Sequence, residues 1–267
     1  TNLYNAFEDA KEQIKSNHIQ CLHIPYLAVA DSSFLYVLLE AFRDLDLSII
    51  LYGMPNFVND KGYSNKEDWE FLTSLFPHYH YVGVQDDVTI TKLPDKDLTD
   101  LSSLFSQFKG TSISINGCIN DKVEFMDDFL LGSTNLKQVK FSNNDFSGVT
   151  SLACAFAGCT ALKSVDGIPA NTKSCKDFGL MFADCRELTK VSLAGLDLSA
   201  GNYFDGMFKG CTRLEEVDFT GCKVKEGACL DDMFAGCVQL HSVITDDPAI
   251  LAAWEDTKAS MATMSLF

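Results

Sequence analysis

The phrase MFKGCTRLEEVDF at residues 207–219 has near copies twenty-six residues to either side, MFADCRELTKVSL at 181–193 and MFAGCVQLHSVIT at 233–245. Placed in register, the copies extend to five and form columns: Leu130, Phe156, Phe182, Phe208, Phe234; Leu136, Leu162, Leu188, Leu214, Leu240; and Val139, Val165, Val191, Val217, Val243. A further column begins at Ser133 and continues as Cys159, Cys185, Cys211 and Cys237. Apolar columns held without insertion from Phe129 to Thr245 restrict the chain to stacked copies of one supersecondary unit.

Within a unit the hydrophobic period changes. Met126, Phe129 and Leu130, like Phe204, Met207 and Phe208, fall at i, i+3 and i+4, which predicts a short helix with one apolar face. The segment after it, such as LEEVDF at 214–219, alternates apolar and polar and predicts a strand. Parallel strands are expected near 138–141, 164–167, 190–193, 216–219 and 242–244, joined in one ladder through 126–245. A tight corner with Gly or Asp before Cys separates helix from strand.

The column explains four of the ten cysteines, and no cysteine pair has the C-x-x-C spacing of a zinc site. If the short helices pack roughly 8 to 10 Å apart, the four column thiols lie beyond disulfide reach and stay reduced and buried.

The order F-x-x-C-x-x-L-x-x-V, with LDLS at 196–199 and NDFSGVTSL at 144–152, resembles the BspA-type leucine-rich repeats of bacterial and protist proteins over residues 126–245. The resemblance implies an α/β leucine-rich-repeat solenoid: curved, with parallel strands on its concave face and short helices on its convex face. It implies binding rather than catalysis, and family members are often cell-surface adhesins.

Residues 1–103 read as less regular helix–strand units, either longer divergent repeats or a small α/β domain. A helix over about 3–16 precedes CLHI at 21–24. Leu35, Leu38, Leu39 and Phe42 precede SIIL at 48–51, and Trp69, Leu72, Leu75 and Phe76 precede YVGV at 81–84. The 26-residue repeats then occupy 104–245, with Ile113 and Ile115 in a degenerate first unit. Residues 24–53 also resemble sulfate-transporter and anti-sigma-antagonist domains, with Asp31 as a helix cap and Ser32 or Ser33 as a phosphate acceptor.

Residues 246–267 read as a helical cap. Asp247 is suited to the N-cap and Pro248 to the first helical position. Ile250, Leu251 and Trp254 are expected on one side, with Trp254 packed near Leu240 and Phe234.

Little in the chain points to chemistry. There is no nucleophile elbow, phosphate-binding loop or dinucleotide fingerprint, and no catalytic or cofactor site is expected. His78 and His80 would share a face of one strand but have no ligand partner at a recognisable spacing. Asp127, Asp205 and Asp231 share a repeat column at a helix start, where carboxylates complement the helix dipole. Ala153 and Gly179 interrupt that column, so no metal is expected.

The formal net charge of -16 repels phosphate backbones and anionic lipid and favours a basic protein partner. No segment has the roughly 18 to 20 apolar residues of a membrane-spanning helix. The sequence shows no leader and carries many free cysteines, which suggests a monomer in the cytoplasm; a trimmed leader would place it at the cell surface or make it secreted. The residues flanking the valine column are expected to face outward: Gln138 and Lys140, Ser164 and Asp166, Lys190 and Ser192, Glu216 and Asp218, and Ser242. They vary between copies while the core columns do not, which suits an adhesin-like or inhibitor-like recognition surface. The alternative is a two-part regulator with a phosphorylatable N-terminal domain and a repeat array.

Overall fold

The computed structural model describes residues 3–19, 21–24, 40–45, 48–52, 80–85, 87–90, 97–108 and 110–264. The chain divides into two compact units, Thr1–Asp86 and Asp87–Phe267. In the first, helix α1 (Leu3–Ser16) is followed by strands β1 (Cys21–Ile24), β2 (Ser48–Tyr52) and β3 (His80–Gln85), which form a parallel sheet in that order. Phe42 is buried and meets the Phe7 ring edge-on at 6.0 Å. The expected helical patterns at 35–39 and 69–76 lie outside the described residues.

The second unit is a parallel β-solenoid. Strands β4 (Asp87–Ile90), β5 (Ser112–Asn116), β6 (Gln138–Ser142) and β7 (Ser164–Asp166) form one sheet, and β8 (Lys190–Ser192), β9 (Glu216–Asp218) and β10 (Ser242–Ile244) form another. Within each sheet the register is that of the repeat: Ile113 pairs with Val139 and Val139 with Val165, then Val191 with Val217 and Val217 with Val243. Alternation explains the strands, since Ile113 of β5 and the valine of each of β6–β10 point inward and their neighbours point outward. The five strands stand where the repeat pattern placed them.

The segments expected to be short helices are not helical. In residues 152–159 the N–H groups of Leu152, Cys154, Phe156 and Gly158 donate to carbonyls of the next turn, those of Asp177, Gly179, Met181 and Ala183, at 2.8 to 2.9 Å. The intervening Ala155, Ala157 and Cys159 fold back onto Leu152, Cys154 and Phe156 at 3.0 to 3.2 Å. A run of β-turns is thus interleaved with a backbone ladder between turns, and the same pattern recurs from Leu101 to Ala235. Each run needs two left-handed residues, four apart: Asp128 and Gly132, Cys154 and Gly158, Leu180 and Asp184, Gly206 and Gly210, Asp232 and Gly236. Left-handed residues break a helix, and glycine meets that need most cheaply. The Gly or Asp before each cysteine of the column therefore belongs to this run rather than to a corner after a helix.

Backbone bonding between turns brings them far closer than packed helices, to about the 4.8 Å of neighbouring strands. The spacing argument against disulfides in the cysteine column therefore fails. The cysteines are nonetheless free and fully buried. Each thiol donates to a carbonyl one turn back: Cys159 to Leu130 and Cys185 to Phe156 at 3.2 Å, Cys211 to Phe182 and Cys237 to Phe208 at 3.0 Å. Ser133 makes the corresponding bond to Phe105 at 3.5 Å.

The ladder expected to run unbroken through 126–245 splits between β7 and β8. The cause is local. The column Phe141, Leu193, Phe219, buried throughout, has Gly167 as its member in the β7 turn. Gly167 has φ +74°, and a Cβ there would lie 2.1 Å from the Phe141 carbonyl oxygen. With no side chain to hold the strand inward, β7 ends at Asp166 and the chain leaves through Ile168 and Pro169. The turn side stays intact across this junction, with the isolated bridges Ser151–Asp177 and Asp177–Tyr203.

Helix α2 (Pro248–Met264) closes the array. The Asp247 carboxylate accepts the N–H groups of Ala249 and Ile250 at 2.9 and 3.1 Å, the capping geometry expected of that residue. Ile250 and Trp254 are buried, and Trp254 meets Phe234 edge-on at 6.1 Å. Leu251 is 46% exposed, because one step along a helix turns it about 100° away from Ile250.

Replacing Trp254 with alanine should cost about 3–5 kcal/mol in urea unfolding; a change below 1 kcal/mol would show that the helix does not hold the last turn. Gly167→Ala should destabilise by at least about 1–3 kcal/mol from backbone strain alone, with the same measurement as the check. Burial pushes the thiols of Cys159 and Cys175 up to about 12 from an ordinary 9.0. The folded state then retains protons that the unfolded chain releases, so stability is full below pH 9.0 and falls as pH rises towards about 12. The slope should reach about 1.4 kcal/mol per pH step for each thiol and be shallower in Cys159→Ala; a profile flat to pH 12 would contradict it.

Candidate functional site

The outer face of the strands is built by alternation. On β6, Gln138 and Lys140 are exposed on either side of fully buried Val139. On β8, Lys190 and Ser192 are exposed around buried Val191. Glu216 and Asp218 on β9 and Ser164 on β7 are half-buried, Asp166 is exposed, and Ser242 on β10 is half-buried beside exposed Ile244.

Register brings these residues into rows. One row runs Ser112, Gln138, Ser164 on the first sheet and Lys190, Glu216, Ser242 on the second. The other runs Ser114, Lys140, Asp166 and then Ser192, Asp218, Ile244. Ser112 and Ser114 extend the face by one strand beyond the residues read from the sequence. Their signal was the 26-residue step back from Gln138 and Lys140.

The rows carry few internal bonds. Gln138 Nε2 donates to Asp166 Oδ2 at 3.4 Å, and Lys190 Nζ lies 3.7 Å from Glu216 Oε1. The Thr220 hydroxyl and amide donate to Asp218 Oδ1 at 2.6 and 2.8 Å and hold its carboxyl below the ordinary carboxylate value. Asp218 is thus ionised at neutral pH.

Where β7 and β8 part, a cleft of about 470 Å³ opens on this face. Its lining includes Ser164, Asp166, Ile168, Lys190, Ser192, Glu216 and Asp218. Six of the nine residues expected to bind are therefore gathered at one opening. The sequence carried a signal for it, the glycine in an otherwise apolar column, followed by Ile-Pro.

On the turn side, Asp127 accepts a hydrogen bond from the Ser151 hydroxyl, and Asp177 Oδ1 accepts one from the Gly179 amide at 2.8 Å. Burial pushes the Asp177 carboxyl up, and Asp127 and Asp205 add to that rise. With no helix present, these carboxylates do not face helix dipoles. No group of three or more His, Cys, Asp or Glu among the described residues could hold a metal ion. Phe129, Met181, Met207 and Met233 are core residues. His80 lies on β3; His78 lies outside the described residues, as do Asp31, Ser32 and Ser33. No helix among the described residues is long and apolar enough to cross a membrane.

A family model described as "Mycoplasma protein of unknown function, DUF285" matches residues 99–216 and 169–247. Among solved structures, the chain is similar to a leucine rich cell surface protein from Faecalibacterium prausnitzii, at 21% identity and a TM-score of 0.34. That match covers 61% of this chain and 51% of the other. It is also similar to a leucine-rich repeat protein from Bacteroides ovatus, at 24% identity and a TM-score of 0.41, covering 75% of this chain and 43% of the other. The chain thus spans about half the length of the first and less of the second. No curated protein matches it. The sulfate-transporter and anti-sigma-antagonist resemblance of residues 24–53 finds no support here, and neither does the cytoplasmic placement. The two family matches together run from residue 99 to residue 247, more than half of the chain, and the protein belongs to this DUF285 family.

Proposed function

We propose that the chain is a non-enzymatic protein-recognition module whose partner docks on the strand face of the solenoid, in an adhesin-like or inhibitor-like role. The observation that supports it is the division within each strand: a valine that is buried or half-buried in every copy, flanked by outward residues whose chemistry changes from one copy to the next. A rigid, regularly spaced array of differing polar side chains suits recognition of one extended protein surface. The net charge of -16 favours a basic partner and should speed association at low salt.

The test begins with a partner captured on the intact protein from its native source. Gln138→Trp with Ser242→Trp obstructs the strand face, whereas Thr134→Trp with Thr212→Trp obstructs exposed positions beside the cysteine column. The strand-face pair should weaken binding about ten-fold or more, equivalent to about 1.4 kcal/mol, and the control pair should leave it within about two-fold. Equal effects from both pairs, or loss only with the control pair, would overturn the reading.

A further inference from the structure

We propose that the cleft between β7 and β8 is a slot for one arginine side chain of the partner, presented on an extended segment lying across the strands. The inference rests on the strand-face reading above and assigns its central contact.

Three features of the opening converge on a guanidinium. The first is charge. Three carboxylates, those of Asp166, Glu216 and Asp218, line the cleft with one ammonium, that of Lys190. Lys190 is engaged with Glu216 at 3.7 Å. Asp166 and Asp218 form no ion pair with a lysine or arginine among the described residues. Lys140 stands opposite Asp166 in the register, on the side away from the cleft, without pairing to it.

The second is the broken ladder. β7 has a strand partner only in β6, and β8 only in β9. The facing edges thus lack the neighbour that every interior strand of these sheets has, and a strand edge carries backbone carbonyls that accept hydrogen bonds. Guanidinium has five N–H donors in a planar fork and no acceptor. It suits a site that offers carboxylates together with carbonyl and hydroxyl oxygens, the latter from Ser164 and Ser192.

The third is size. A volume of about 470 Å³ falls within the usual range of small-ligand pockets, roughly 300–1,000 Å³, and exceeds what a bare cation would fill. An ammonium would present only three donors and is more strongly hydrated, so arginine is preferred to lysine.

The experiment is a titration of the ¹⁵N-labelled protein, residues 1–267, followed by amide chemical shifts. The probes are acetyl-Gly-Arg-Gly-amide and its lysine and citrulline counterparts. Citrulline keeps the shape of arginine and removes its charge. The arginine peptide should shift the amides of Ser164, Asp166, Lys190 and Ser192 saturably, and the citrulline peptide should bind about ten-fold or more weakly. Asp166→Asn should weaken arginine binding by a similar factor, and Ser192→Phe, which fills the opening from an exposed position, should abolish it. Dispersed amide spectra of both variants establish that they are folded. The inference is overturned if the cleft amides stay still, if citrulline binds as well as arginine, or if shifts scatter over the acidic surface without saturation. Unmoved cleft amides combined with partner loss in Gln138→Trp with Ser242→Trp would remove the slot and leave the wider face standing. Saturable arginine binding with a partner indifferent to that pair would do the reverse.

Discussion

Backbone hydrogen bonds passing from one turn to the next hold this array together, and most of its other properties follow from the spacing they impose. With turns about 4.8 Å apart, equivalent residues lie directly above one another in the same conformation, and large side chains must stack. Phe156, Phe182, Phe208 and Phe234 do so with centroids 5.2, 5.4 and 5.9 Å apart and planes within 13°. Phe178 and Phe204 form a second stack at 5.1 Å and 6°. Centroid separations above the turn spacing mean offset rings, the arrangement aromatic quadrupoles favour. Phe219 and Trp254 meet the main stack edge-on, the other favoured geometry.

The thiol column answers to the same constraint. At each corner a carbonyl points toward the turn that follows, and a buried thiol one turn on reaches it. Leucine would fill the space without donating, whereas Ser133 shows that a hydroxyl serves at the first position of the column. Outside the column, Cys222 repeats the device with Leu193 at 3.0 Å.

Much of this was legible in the chain, and what was not has a physical reason. The strand positions and inward columns could be read because burial leaves a strict 26-residue trace. The turn side was misread because Phe204, Met207 and Phe208 satisfy a helical period equally well in a run of β-turns whose third and fourth residues also return to one side. The deciding residues were Gly132, Gly158, Gly210 and Gly236, whose recurrence marks left-handed backbone inside the run. The outward residues were identified from alternation alone. Their concentration at a cleft depended on a single substitution in a core column, Gly167 for a large apolar residue, which a pattern of matches records only as a gap.

The two sides of the solenoid are joined differently at that gap. Between Leu152 and Ala183 the turn ladder crosses the junction with its full set of backbone bonds, while the strands on the other side do not pair at all. In a linear array whose cohesion is a sum of neighbour interactions, this junction is the least tightly coupled among the regular repeats. Folding begun on either side of it should propagate freely within its own block and hesitate there, so that the array melts as two cooperative lengths of unequal size instead of fraying evenly from its ends.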